Sequence, residues 1–275
     1  QILLDKPSSI NSWFSYNLNN QNNIGHVNYS GNLNIFFKDK LGKNKFKYIT
    51  TKVPIISSEN TIFISDKNGT IFKIDKNGNL FWKRNIYKKL KKKINKKIYK
   101  ELFYTYFNQN LYIADNLGFL YSVNSNTGNI NWIKNFSDKF NSSIKIANNS
   151  IYILSKENKL FSINLNDGSI NWIFPTDKAF VSSNNKLPLA LSNDENVFFI
   201  NSLGDLYKVD QVNGGILWSM PTINNLAENK TDFFESSDIV IYENVAFFSN
   251  LYEGTYSVDI INGFINWKLN FKSNI

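Results

Sequence analysis

Residue types able to do chemistry are scarce in this chain, and they are poorly spaced for catalysis. Its 275 residues hold one histidine, His26, and no cysteine. Thiolate and multi-histidine metal sites are excluded, as are disulfides and cysteine nucleophiles. His26 has the side chain of a general base, but no flanking Ser or Asp arrangement suggests a triad. It reads as a hydrogen-bonded structural residue. Asp66-Lys-Asn68-Gly and Asp75-Lys-Asn77-Gly-Asn79 resemble the start of a calcium loop, yet neither is followed by the acidic ligand a full loop requires. Both read as turns. Triplets such as Asn28-Tyr-Ser30 and Asn141-Ser-Ser143 are expected by chance in so Asn-rich a chain. No catalytic, cofactor-binding or metal-binding residue is therefore assigned, and no cofactor is expected.

Charge points to one segment. The formal net charge is +9, and Lys88, Lys89, Lys91, Lys92, Lys93, Lys96, Lys97 and Lys100 crowd into residues 87–100. Outside that run the chain is close to neutral, so the basic field of a nucleic-acid binder is not indicated and no nucleic-acid partner is expected. As a helix the run would place Leu90, Ile94 and Ile98 on one face. It reads as a solvated insertion, or more sharply as a basic loop meeting anionic lipid head groups or an acidic partner. No stretch approaches the length of apolar sequence that spans a membrane as a helix. The chain opens at Gln1 with no initiator Met or signal peptide, which reads as a piece of a longer product. Its 42% hydrophobic and 16% aromatic content suffices for a large core or a repeat array. The Asn, Lys and Ile bias throughout reads as a compositional habit of an AT-rich genome.

The elements that would position any site come from an internal repeat. Residues 118–132 read GFLYSVNSNTGNINW, 158–172 NKLFSINLNDGSINW, 204–218 GDLYKVDQVNGGILW and 253–267 EGTYSVDIINGFINW. Residues 69–82 read GTIFKIDKNGNLFW, one residue shorter in the turn. Each copy has a glycine four residues before its Trp: Gly78 and Trp82, Gly128 and Trp132, Gly168 and Trp172, Gly214 and Trp218, Gly263 and Trp267. Asp75, Asn124, Asn164, Asp210 and Asp259 recur just before the turn. A second marker lies upstream: NTIFIS, NLYIAD, SIYILS, NVFFIN and NVAFFS. Trp-to-Trp spacings are 50, 40, 46 and 49.

Within one unit, residues 101–107, 110–116, 119–125 and 130–136 are short apolar-aromatic runs separated by Asn-, Asp- and Gly-rich breaks. Each has the length and composition of a strand, and the breaks supply positive-φ turn positions. Four antiparallel strands per repeat predict an all-β fold of propeller blades. Five blades are clear, at 53–86, 101–136, 142–176, 186–222 and 236–271, within one propeller domain. Residues 1–52 read as an N-terminal segment and a partial blade, and 87–100 as the basic insertion. The glycine turns the chain from third to fourth strand. The Trp, on the outer strand, is expected to cover the edge of a neighbouring blade, and this assigns Trp82, Trp132, Trp172, Trp218 and Trp267 to docking rather than to a ligand cage.

The pattern resembles the PQQ-like repeat, whose outer turn runs Ala-x-Asp-x-x-Thr-Gly-x-x-x-Trp. Here the Ala slot holds Ser122, Ser162, Lys208 and Ser257, and the Thr slot Thr127, Asp167, Asn213 and Asn262. Residues 13–26, WFSYNLNNQNNIGH, are similar to the opening of α-proteobacterial proteins of the outer-membrane assembly factor BamB family, with Trp13, Asn17, Gly25 and His26 in place and the first glycine not kept. The resemblance implies an eight-bladed propeller that is not an enzyme. It implies a periplasmic accessory, at the inner face of the outer membrane, that binds the periplasmic domains of the β-barrel insertase through loops on one face. Such a ring needs roughly 80–120 further residues, so the chain is expected to be a truncated member or a smaller ring. PQQ-dependent dehydrogenases share the fold. They need a Ca²⁺ site of Glu and Asn, an Asp base and a tryptophan floor, and the repeat tryptophans are already assigned to docking. Relatives carry an acidic interaction motif near residues 229–238, which makes Asp232 and Glu235 weak partner-contact candidates.

Overall fold

The computed structural model describes residues 6–29, 31, 41–42, 56–58, 60–66, 68–90, 101–177, 185–223 and 234–271. Most of 31–52, the lysines of 91–100 and Asp232 lie outside the described residues, so the expected partial blade and the amphipathic helix through Ile94 and Ile98 do too. Within the described residues, twenty strands form five four-stranded antiparallel sheets, with each strand beside its chain neighbours. They divide into two compact units, residues 1–18 with 24–135, and residues 19–23 with 136–275.

The first unit holds β1 (Ile56–Ser58), β2 (Thr61–Ser65), β3 (Thr70–Asp75) and β4 (Leu80–Asn85), then a 3-10 turn (Lys88–Leu90), then β5 (Leu102–Phe107), β6 (Asn110–Asp115), β7 (Phe119–Asn124) and β8 (Ile130–Asn135). The second holds β9 (Lys145–Ala147), β10 (Ser150–Leu154), β11 (Lys159–Asn164) and β12 (Ile170–Pro175). It continues through β13 (Leu189–Leu191), β14 (Asn196–Ile200), β15 (Asp205–Asp210) and β16 (Ile216–Pro221) to β17 (Val240–Tyr242), β18 (Val245–Asn250), β19 (Gly254–Asp259) and β20 (Ile265–Leu269).

Burial explains the sequence pattern of each blade. In the second, third and fourth blades the second strand is covered on both faces, which is why β6, β10 and β14 read as nearly unbroken apolar runs. The fourth strands are mostly exposed, and in β12 and β16 exposed and half-buried positions alternate near the Trp.

The outer hairpin turns repeat one hydrogen-bonding scheme. The side-chain oxygen of Asp75, Asn124, Asn164, Asp210 and Asp259 accepts the backbone N–H two residues on, at 2.7–3.0 Å. The glycine N–H then donates to the backbone carbonyl of that Asp or Asn. A short polar side chain that can substitute for a missing backbone partner is what such a turn needs. The glycines sit at φ between 69° and 88°, where a Cβ is costly. Asp66 closes the preceding turn of its blade in the same way, through Asn68 N and Thr70 N at 2.9 and 2.8 Å. Both calcium-like segments are therefore turns whose carboxylates face backbone N–H groups.

One irregularity recurs in every blade. The ladder between third and fourth strands shifts register at Lys73/Ile74, Ser122/Val123, Ser162/Ile163, Lys208/Val209 and Ser257/Val258. The extra residue lies just before the Trp. A bulge raises local twist and re-aims the next side chain.

The rings of Trp82, Trp172 and Trp218 land on turn glycines. Trp82 donates Nε1–H to the Ser125 carbonyl at 2.9 Å, and its ring lies where a Cβ on Gly128 would come within 2.7 Å. Trp172 repeats this with the Gln211 carbonyl at 3.1 Å and Gly214 at 2.7 Å. Trp218 does so with the Ile260 carbonyl at 3.3 Å and Gly263 at 3.0 Å. Trp132 packs tilted on Tyr112 of its own sheet, and Trp267, 42% exposed, on Phe247.

Gly214→Ala and Trp172→Ala are each expected to lower stability by about 1–3 kcal/mol, read from urea midpoints. In the double variant the glycine substitution should cost less, since the clash is gone and only the positive-φ strain of about 1 kcal/mol remains. Strict additivity would contradict contact between ring and glycine.

Candidate functional site

A partly buried polar arrangement in the second unit is built around residues 19–23, Asn-Asn-Gln-Asn-Asn. A four-stranded blade leaves the backbone groups of its first strand without a partner on one side, and those groups must be satisfied. Here the short segment does it. The Leu191 N–H donates to the Asn20 carbonyl and the Ile241 N–H to the Gln21 carbonyl, both at 2.9 Å. Asn20 Nδ2 donates to the Ile146 carbonyl at 2.8 Å. Asn22 Nδ2 donates to the carbonyls of Leu189 at 3.0 Å and Ile239 at 2.7 Å. Asn22 adopts φ 57°, a conformation Asn tolerates better than most residues. β9, β13 and the start of β17 are thus joined by one segment.

Lys145 completes the cluster. It is 1% exposed and donates Nζ–H to the Asn19 carbonyl at 2.7 Å and to Asn22 Oδ1. Burial holds its amine well below the usual lysine value, at about 7; nearby Lys186 lowers it further and Asp238 opposes the shift. Lys186 and Asp238 themselves form an ion pair at 3.0 Å. An amine that loses its proton near neutrality has nucleophile chemistry in principle. This one is covered and directed at two carbonyl oxygens, which makes it an internal hydrogen-bond donor.

In the first unit, residues 14–15 lie along β5. The Tyr106 N–H donates to the Phe14 carbonyl at 2.8 Å, Ser15 pairs with Thr105, and the Phe14 ring stacks on Tyr106 at 5.6 Å. A second buried cluster centres on Asp115. Its Oδ1 accepts the N–H groups of Leu117 and Phe119 at 2.9 and 2.8 Å, and its Oδ2 accepts Tyr87 O–H at 2.9 Å and Tyr121 O–H at 3.4 Å. Burial raises its carboxyl to about 6, against the lowering effect of those donors. Burial also raises the Tyr87 and Tyr121 hydroxyls, with the Asp115 charge adding to it.

The residues singled out from sequence are dispersed. His26 is exposed, and its carbonyl accepts Ser8 N–H at 2.8 Å. Gly25 has φ 70°, and Trp13 donates to the Tyr16 carbonyl at 3.1 Å. Glu235 is half-buried, with Oε1 accepting Asn185 Nδ2. Among the described residues no three His, Cys, Asp or Glu side chains converge to hold a metal ion, and no helix is long and apolar enough to cross a membrane. Sequence reasoning passed over Asn20, Asn22, Lys145 and Asp115. One signal was available: Lys145 opens β9 where β13 and β17 open with Leu189 and Val240.

A family model described as outer membrane protein assembly factor BamB matches residues 67–274. The chain belongs to that family. No curated protein sequence matches it. Among solved structures, BamB from Moraxella catarrhalis is similar with TM-score 0.64 and 13% identity, over 82% of this chain and 67% of its own. The quinohemoprotein alcohol dehydrogenase ADHIIG from Pseudomonas putida HK5 gives 0.60 and 12%, over 80% of this chain and 42% of its own. The computationally designed Ika8 protein gives 0.59 and 11%, over 80% and 62%. At such identities the likeness is one of fold, the β-propeller of PQQ-like blades. This BamB-family chain spans about two thirds of the Moraxella protein and under half of the dehydrogenase. The opening residues Trp13, Asn17, Gly25 and His26 flank the segment that clasps β9, β13 and β17.

Lys145 fixes a pH signature. The folded chain releases its proton near pH 7, the unfolded chain near 10.5. Folding therefore expels a proton between those values, and this group's contribution to stability rises with pH across that window and is flat below it. The difference in unfolding free energy between wild type and Lys145→Met should grow from pH 7 to pH 9; a constant difference would contradict a neutral buried amine. Asp115 has the opposite pattern, with its contribution present below about 3.8 and lost as pH rises through about 6. Asp115→Asn should flatten the stability profile between pH 4 and pH 6, where Asn201 and Asn250 already close the corresponding turns through Leu203 N and Tyr252 N.

Proposed function

We propose that the chain is a non-catalytic scaffold that helps assemble β-barrel proteins into the outer membrane, working in the periplasm through loop contacts with the periplasmic domains of the barrel insertase. Membership of the BamB family supports the reading. The observation that carries it is the use of residues 19–23 on the inner strands of the second unit. The polar groups gathered there, Asn22 and Lys145 above all, bond backbone carbonyls of the chain and, through Lys145 Nζ and Asn22 Oδ1, each other. A rigid set of blades presenting variable loops suits docking to a modular partner.

Within this reading Trp82, Trp132, Trp172, Trp218 and Trp267, with Gly78, Gly128, Gly168, Gly214 and Gly263, hold blades together. Glu235 and Asp232 belong to the partner-facing loop before the fifth blade, and Lys88–Lys100 to a basic insertion able to approach a membrane surface. The second reading is quinone-dependent alcohol oxidation, favoured by the fold shared with the Pseudomonas dehydrogenase.

Titration with the purified periplasmic domains of the insertase from the same cell should yield a complex, weakened roughly tenfold by Glu235→Lys. Absence of a complex would remove the scaffold reading. Alcohol-dependent dye reduction after loading with quinone and Ca²⁺ would install the enzymatic one.

A further inference from the structure

The chain contains four Asn-Gly pairs: Asn68-Gly69, Asn77-Gly78, Asn213-Gly214 and Asn262-Gly263. Each lies in a hairpin turn, with the Asn exposed and the glycine at positive φ. An asparagine before a glycine is open to attack on its own side chain, because no Cβ shields the following backbone nitrogen. The fold sorts the four pairs into two kinds. In the fourth and fifth blades the carboxamide folds back over the turn. Asn213 Oδ1 accepts Gly215 N–H at 2.6 Å, and Asn262 Oδ1 accepts Phe264 N–H at 2.8 Å. In the first blade the corresponding donors, Thr70 N–H and Asn79 N–H, go to Asp66 Oδ1 and Asp75 Oδ1 instead, both at 2.8 Å.

We infer that Asn213 and Asn262 are sites of spontaneous deamidation, each converted through a cyclic imide to aspartate or isoaspartate. The glycine nitrogen gives up its proton to hydroxide and attacks Cγ of the preceding Asn. The N–Cγ bond forms, the Cγ–Nδ2 bond breaks, and ammonia leaves with a proton from water. Water then opens the imide at either carbonyl. The hydrogen bond from two residues on serves this reaction twice. It holds the side chain against its own backbone, so less freedom is lost on ring closure. It also polarises the Cγ–Oδ1 bond and stabilises the charge that gathers on Oδ1 during attack. The glycine N–H groups of all four pairs donate to a backbone carbonyl, at 2.9–3.1 Å, so that bond does not separate them.

The repeat shows what the products do. The same slot holds Asp167 in the third blade, whose Oδ1 accepts Ser169 N–H at 2.9 Å. In the second blade it holds Thr127, whose Oγ1 accepts Asn129 N–H at 3.2 Å. Aspartate therefore fits this turn, and its formation adds negative charge to the outer turns of the fourth and fifth blades. Isoaspartate does not fit. It routes the main chain through the side-chain carbon and lengthens the turn just before Gly214 and Gly263, where the rings of Trp172 and Trp218 rest. The isoaspartyl product thus loosens the junctions of the third blade with the fourth and of the fourth with the fifth. The inference is independent of the scaffold reading, since it concerns how the chain ages and not what it binds.

Peptide mapping by mass spectrometry of the whole chain, aged in mildly alkaline buffer, tests it. In the folded chain, conversion at Asn213 and Asn262 should run roughly fivefold faster than at Asn68 and Asn77, the effect of one hydrogen bond. In urea the four sites should converge on a common rate. Asn213→Thr with Asn262→Thr, which installs the residue of the second blade, should abolish both conversions and the slow fall in urea midpoint that accompanies them. The midpoint before ageing should be unchanged. Asn213→Asp with Asn262→Asp should likewise keep the unaged midpoint, which separates the added charge from the isoaspartyl linkage. Conversion at Asn68 or Asn77 as fast as at Asn213 in the folded chain would overturn the proposal. So would Asn213 and Asn262 that stay intact in the fold while the unfolded chain converts.

Discussion

A blade of four antiparallel strands satisfies its interior hydrogen bonds and leaves two edges bare. The inner edge is the more demanding, because it lies where other blades and apolar side chains exclude water, and an unmet backbone group there costs about 1–3 kcal/mol. This chain meets part of that demand with its own N-terminal residues. Phe14 bonds β5, and residues 19–23 bond β9, β13 and Ile241 of β17. Side-chain amides serve this purpose well because each donates twice and accepts. The run Asn-Asn-Gln-Asn-Asn, which looks like compositional drift, thereby acquires a physical role.

The same segment brings Lys145 into the interior. A buried amine is costly as an ion, and burial lowers its pKa until the neutral form competes near pH 7. It is tolerated because two carbonyl oxygens accept from it. Between blades the material is different. Flat indole rings lie over glycines at positive φ, with Nε1–H groups bonded to turn carbonyls. Polar bonds along the inner edge and apolar rings toward the outer one divide the work of joining sheets. The bulge before each Trp links the two, since it turns the indole out of its own ladder.

Fold alone says little about activity here. BamB from Moraxella catarrhalis, a quinohemoprotein dehydrogenase and a designed protein all resemble this chain at 11–13% identity. What differs among proteins of one fold is what converges on the inner strands and what the loops display. In this chain the inner strands of the second unit meet amides of residues 19–23 and carry a lysine bonded to backbone and to Asn22, and the turns of the fourth and fifth blades display Val212, Ile261 and Phe264.

Much of the architecture was legible in the sequence, because the determinants of a blade are local. Asp or Asn, then Gly, then Trp lie within a few residues of one another, and each turn closes on its own backbone, as Asp75 does with Asn77 and Asn79. Repetition multiplied a weak hairpin signal fivefold. The bulges were hidden, since nothing in the Gly-x-x-x-Trp spacing distinguishes a regular ladder from a shifted one. The clasp was hidden for a stronger reason. Asn22 meets Leu189 and Ile239 across 167 and 217 residues, and Lys145 meets Asn22 across 123. No periodicity encodes a contact of that range. The sequence by itself determined strands, turns and repeat, because these follow from short-range backbone preference. Only the tertiary structure decided which edge the Asn-rich segment satisfies and that Lys145 is buried, because burial is a property of what other parts of the chain bring to a residue.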